Sequence, residues 1–141
     1  MYTIMATMTS DKVKKTPASS KNDSMGEFFG KMYSFNNSLK LYHWHVTGKG
    51  SYAEHMALDQ ALDELSDVLD RIVETSYALY GDITVQIPVT DVPKNIVDHA
   101  EKFYAVCQSA RKLFSEDFTM AVIDDYQEAI QQLLYRLKRL Q

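Results

Sequence analysis

LYHWHVTGKGSYAEHMALDQALDELSDVLDRIVE, residues 41–74, holds a two-glycine break and the longest amphipathic stripe of the chain. TGKG at 47–50 ends one helix. Ser51 and Glu54, three residues apart, have the spacing of a capping box that opens the next. Leu58, Leu62, Leu65, Leu69, Ile72 and Ser76 then recur at steps of four and three, and Gly81 supplies a stop after Tyr80. This spacing predicts a helical hairpin.

Working outward, Phe28, Met32, Phe35, Leu39, Tyr42 and Val46 keep the same period upstream, behind a second Ser-x-x-Glu pair at Ser24 and Glu27. Residues 1–23 show no periodicity and read as a flexible tail. Lys12, Lys14, Lys15 and Lys21 against Asp11 and Asp23 give it a charge of +2. The folded domain is then expected over 24–141. Downstream, Ile83, Val85, Ile87 and Val89 alternate with other residues, and Pro88 and Pro93 oppose a helix, so 81–94 reads as an extended connection. A third helix is expected from about Pro93 or Lys94 to Phe114, with Ile96, Ala100, Phe103, Val106 or Cys107, Ala110 and Leu113 inward. A fourth follows Ser115-Glu116-Asp117, with Met120, Ile123, Tyr126, Ile130, Leu133 or Leu134, and Leu137 inward.

Four amphipathic helices with one longer middle connection predict an all-α, ferritin-like four-helix bundle with a single crossover between helices two and three. The second helix, at ~1.5 Å per residue, is about 43 Å long, and the connection reaches about 46 Å fully extended, so it spans the bundle nearly taut. A simple up-down-up-down bundle is the second choice.

Composition removes several classes of function. A chain of 141 residues, 45% hydrophobic, buries a core without staples, and Cys107, its one cysteine, forms no internal disulfide and reads as a core residue. No apolar run approaches the ~20 residues of a membrane span, and no secretory signal opens the sequence, so a cytoplasmic location is expected. A net charge of −4 argues against a protein built mainly to coat nucleic acid. The basic tail leaves weak, salt-dependent DNA binding as a minor reading. There is no nucleophile elbow and no phosphate loop of Walker spacing. No histidine has a Glu three residues before it, so the Glu-x-x-His signature of a di-iron site inside one bundle is missing.

What remains is a set of imidazoles and carboxylates. At about 100° per residue, Asp59, Asp70 and Glu74 fall within about 100° of His55 on one helix face. Asp59 and Asp70 are nevertheless about 16 Å apart along the axis, far more than one metal ion bridges. The pairs 55/74 and 59/70 share a midpoint between residues 64 and 65. An antiparallel two-fold pairing of this helix with its copy therefore brings Asp59 level with the partner's Asp70 and His55 level with the partner's Glu74. His43, across the TGKG turn, completes each cluster. Such a mixed set suits ferrous iron, manganese or zinc. His45 and His99 have no such company and read as surface or capping residues. Trp44 either packs on the cluster or fills the interface.

The segment 39–74 resembles the Dps family, the DNA-binding proteins from starved cells or mini-ferritins. His43-Trp44, His55 twelve residues on, Asp59 four later, Asp70 eleven later and Glu74 four later match the family's spacing, with Val46 and Gly48 also in place. The resemblance extends more weakly over 24–139. It implies a ferroxidase centre shared between two-fold related subunits, with His43, His55 and Asp59 from one and Asp70 and Glu74 from the other. It further implies oxidation of Fe(II) by hydrogen peroxide, iron storage in a dodecameric shell, and protection from oxidative damage. The dimer would form through residues 52–80. Glu116, Asp117, Asp124 and Asp125 are candidates for an acidic iron entry route. Two rivals are a non-catalytic module whose dimer interface a metal staples, and a weak DNA binder acting through the tail.

Overall fold

A computed structural model describes residues 17–140, with side chains from residue 21 onward. It is all-helical. Helices α1 (Pro17–His45), α2 (Ser51–Tyr80), α3 (Ile96–Ala110) and α4 (Asp117–Arg139) follow in order, with a short 3-10 turn at Arg111–Leu113 before α4. No described helix is long and apolar enough to cross a membrane.

Helix α1 begins at Pro17 rather than at Ser24. Proline suits a first helical turn because its missing N–H has no partner to lose there. The segment after it is held by the far end of α2: the Asn22 amide donates to the Tyr80 and Asp82 carbonyls, and Lys21 Nζ lies 4.5 Å from the centre of the Tyr80 ring. Ser24 and Glu27 therefore lie inside a helix instead of capping one. The rest of the expected tail, residues 1–16, lies outside the described residues.

The Ser51–Glu54 box does not form either. Gly50, in the left-handed region at φ 82°, is the N-cap, no side chain caps the helix, and Glu54 N–H donates to the Gly50 carbonyl. At the other end Gly81 stops α2 as expected, its N–H donating to the Tyr77 carbonyl. Helix α3 starts later than its apolar pattern suggested because Asn95 caps it, accepting from Asp98 N–H. It also ends sooner, giving way to the 3-10 turn before Phe114.

The apolar stripes meet in one core. Leu58, Leu65 and Ile72 of α2, Met32 and Leu39 of α1, Ala100 and Cys107 of α3, and Ile130 and Leu133 of α4 are fully buried. Burial lifts the Cys107 thiol to about 12, which keeps it protonated and inert. Phe35 stacks on Phe103 at 4.3 Å, and Tyr126, fully buried, donates to Asn36 Oδ1 at 2.8 Å.

The connection from Gly81 to Asn95 lies along α1. Gln86 N–H donates to the Gly26 carbonyl, Ser34 Oγ meets Thr90 Oγ1, and Ser38 Oγ meets His99 Nε2 at the head of α3. Gly26 and Gly30 form its bed. A Cβ at either would overlap the carbonyl of Thr84 or Gln86. The alternating apolar side is buried only at its start: Ile83 is enclosed, whereas Ile87 and Val89 face solvent.

Candidate metal centre

The two glycines of the α1–α2 turn, Gly48 at φ 89° and Gly50 at φ 82°, adopt backbone conformations that other residues rarely take, and they fold the last turn of α1 against the first turns of α2. That hairpin brings three of the five expected ligands together. His43, His55 and Asp59 have ligand atoms within 4.8 Å of one another, and they form the one such group of three among the described residues. His43 Nε2 is 2.7 Å from Asp59 Oδ1, His55 Nε2 is 3.8 Å from Asp59 Oδ2, and the two imidazoles stack at 3.7 Å.

The hydrogen bonding of these rings suits a cation. His55 Nδ1 lies 3.3 Å from the His43 carbonyl. With the proton on Nδ1 as donor to that carbonyl, the Nε2 lone pair is left facing the cluster, as for a metal-ligating imidazole oriented by a backbone acceptor. His43 is buried, and neither of its ring nitrogens has a hydrogen-bond partner among the described residues. The short Nε2 approach to Asp59 is an electrostatic contact that lacks the alignment of a ring N–H bond. A buried imidazole with both nitrogens unsatisfied is costly unless something takes its lone pair. Burial, helped by His55 and Lys40, also pushes its pKa down against the pull of Asp59. The ring is thereby kept neutral, the form in which imidazole binds metal. The residues present thus fit a divalent cation.

Asp70 and Glu74 are not part of this group. Both are exposed on α2 and have no ion-pair partner among the described residues. Trp44 does not cover the cluster: it is 67% exposed, with Lys40 Nζ 5.7 Å from its ring centre. Tyr52 and Met56, which flank His55 and Asp59 on the outer side of α2, are exposed as well.

The remaining histidines divide. His45 is exposed, as expected. His99 is neither a surface nor a capping residue. It is half-buried, lies 5.2 Å from the Phe35 ring and shares a 2.6 Å hydrogen bond with Ser38. Of the acidic entry candidates, Glu116 accepts two short contacts from the Tyr80 hydroxyl, which hold its carboxyl below the ordinary range, while Asp124 pairs with Arg111 and Asp125 with Arg71. Asp117 is exposed at the start of α4.

Sequence reasoning passed over two features. The Gly26–Gly30 bed was signalled by two glycines four apart on a helix, a spacing that permits close backbone approach. Arg136 on α4 carried no sequence signal. Its Nη1 is buried without a hydrogen-bond partner among the described residues, in a groove that Asp59 also lines.

No curated protein and no solved structure matches the chain. A family model described as a family of unknown function, DUF5856, matches residues 43–137, a span that opens on His43 and contains His55, Asp59, Asp70, Glu74 and Arg136. The chain belongs to this family, DUF5856.

Proposed function

We propose that two copies of the chain pair antiparallel through the exposed face of α2, residues 52–80, and so complete two sites at which ferrous iron, the substrate, is oxidised by hydrogen peroxide. Each site takes His43, His55 and Asp59 from one copy and Asp70 and Glu74 from the other. The observation that carries this reading is the half-assembled cluster. Three ligands converge with a buried, unsatisfied imidazole among them, while the two remaining carboxylates stand exposed at the spacing a two-fold axis requires. Trp44, Tyr52 and Met56, large apolar groups left in water around the cluster, are what a covering second copy would bury.

The fold favours the same reading. The contacts of Gly26, Ser34 and Ser38 follow the connection from one end of α1 toward the other, as a single crossover of ferritin-like connectivity would require.

In the reaction two Fe(II) ions each give one electron to one hydrogen peroxide, whose O–O bond breaks, and with two protons taken up two waters leave. The chain holds neutral imidazoles that bind Fe(II) and carboxylates whose charge favours Fe(III). Storage of the ferric product would need the larger shell that the Dps resemblance implies. The test is to load the protein with Fe(II) anaerobically, add a peroxide pulse and record ferric absorbance beside Asp70→Ala and a protein-free control. Fast oxidation that Asp70→Ala abolishes is expected; a wild type no faster than buffer overturns the reading.

One observation favours a second reading. The outer face of α2 carries Asp59, Asp63, Asp67, Asp70 and Glu74, so two copies meet as like charges, and a divalent ion in each cluster would staple the pair without turnover. In the same assay that module would bind the metal and consume no peroxide.

A further inference from the structure

The antiparallel pairing leaves a second feature of the same face to be accounted for. On the α4 side of α2 lies an open groove of about 700 Å³, lined by Met56, Asp59, Gln60, Asp63, Arg136 and Leu140 among others. Arg136 Nη1 is buried there, and although two carboxylates share the groove, the guanidinium has no hydrogen bond or ion pair among the described residues. A buried guanidinium N–H without an acceptor is costly, and the forked geometry of the group matches a carboxylate. An anionic occupant would supply that acceptor.

Register identifies which one. Tyr80 meets Glu116 and Arg71 meets Asp125, nine residues apart on each helix in opposite directions. Carried eleven residues further, the same antiparallel register brings Arg136 level with Gln60, and both line the groove. Under the two-fold pairing, Gln60 lies level with the partner's Leu69, so Arg136 faces the turn that carries the partner's Asp67 and the partner's Asp70.

Helical angle separates these two. At about 100° per residue, Asp70 is about 20° from Asp59, which contacts α1 through His43, whereas Asp67 is about 40° from Arg71, which contacts α4 through Asp125. A two-fold axis perpendicular to the helices sets like flank against like flank. Asp70 then belongs to the metal cluster and Asp67 to the α4 flank, where Arg136 waits.

We infer that Arg136 receives the partner's Asp67, twice per dimer, as a charge clamp beside each metal cluster. This rests on the two-fold reading proposed above. A free phosphate is disfavoured because Asp59 and Asp63 repel a dianion in the same groove. A carboxylate held on a docked helix carries one charge and is already positioned by the rest of the interface. The clamp also offsets part of the repulsion between two acidic faces.

Charge exchange tests it. Sedimentation velocity of the Mn(II)-loaded full chain is compared for wild type, Arg136→Glu, Asp67→Arg and the double variant, with circular dichroism to confirm folding. Each single change is expected to weaken self-association about tenfold or more, and the double to return within about threefold of wild type. A wild type that associates while the single changes have no effect, or a double as weak as the two singles combined, overturns the clamp and leaves the pairing standing. A wild type that stays monomeric with Mn(II) overturns both. Millimolar inorganic phosphate that raises the melting temperature of wild type but not of Arg136→Glu, with association unchanged by either substitution, assigns the groove to a free anion and overturns the clamp as well.

Discussion

His43 and His99 are both withdrawn from water, both have pKa values lowered first by that burial, and both pack against another ring. They differ in their hydrogen bonding. His99 shares a 2.6 Å hydrogen bond with Ser38, whereas His43, the less exposed of the two, has two unsatisfied nitrogens. Burial and pKa direction therefore do not distinguish a ligand from a core histidine here; the count of satisfied lone pairs does.

The largest effect that would break this contrast concerns metal affinity. His43→Ala is expected to weaken Mn(II) binding about a hundredfold or more by titration calorimetry, since it deletes a ligand and not merely an outer partner, while His99→Ala leaves it within about twofold. Equal losses would show that the distinction is wrong. The shared nature of the site sharpens the test. His43→Ala and Asp70→Ala, each inactive alone in the peroxide assay, damage opposite halves, so mixing them after reversible dissociation should restore about a quarter of wild-type oxidation through mixed dimers with one intact site. A site confined to one chain would give none.

The folding cost should run the other way. His99→Ala removes a packed ring and one of the two hydrogen bonds of Ser38, whose hydroxyl keeps its bond to the Phe35 carbonyl, at a cost of about 2 kcal/mol in urea denaturation. His43→Ala in the metal-free protein should cost less, about 1 kcal/mol, despite its lower exposure, because the lost packing is offset by removal of two buried unsatisfied nitrogens. A metal-free His43→Ala that unfolds more readily than His99→Ala would mean the ring is satisfied in the apoprotein.

Most of the fold was legible from periodicity, because each stripe of α1 to α4 reports the one face a helix must bury. Helix ends were less so. Gly50 took the capping role that the Ser-x-x-Glu pattern assigned to Ser51, Asn95 capped a helix for which no cap was read, and the α1 start depends on Asn22 and Lys21 reaching the far end of α2, a tertiary contact that no local pattern encodes. The bed of the connection is tertiary in the same way. Gly30→Ala should cost about 3 kcal/mol, because a methyl group there meets the Gln86 backbone rather than a side chain able to swing aside. In the site, the convergence of His43, His55 and Asp59 followed from the turn and an i, i+4 step. The role of His99 and the isolation of Arg136 did not, since both depend on α3 or α4 packing against helices distant in sequence.

The smallest expected effect is on the pH dependence of folding, and it separates the two histidines once more. Both have folded pKa values below the ordinary ~6.5, so as pH falls through that value the unfolded chain binds protons first. Their contribution to stability is thus complete above about pH 6.5 and declines below it, down to each folded pKa. Metal-free protein should lose stability between neutral and mildly acidic pH, and His99→Asn should flatten part of that slope while keeping a polar partner for Ser38. Mn(II) should then make the remaining slope steeper, because a bound cation competes with protons for His43 and its fellow ligand His55 and does not reach position 99. A slope that Mn(II) leaves unchanged, measured in the His99→Asn background at saturating metal, would show that the ion does not compete with the proton for His43 and would remove that residue from the ligand set.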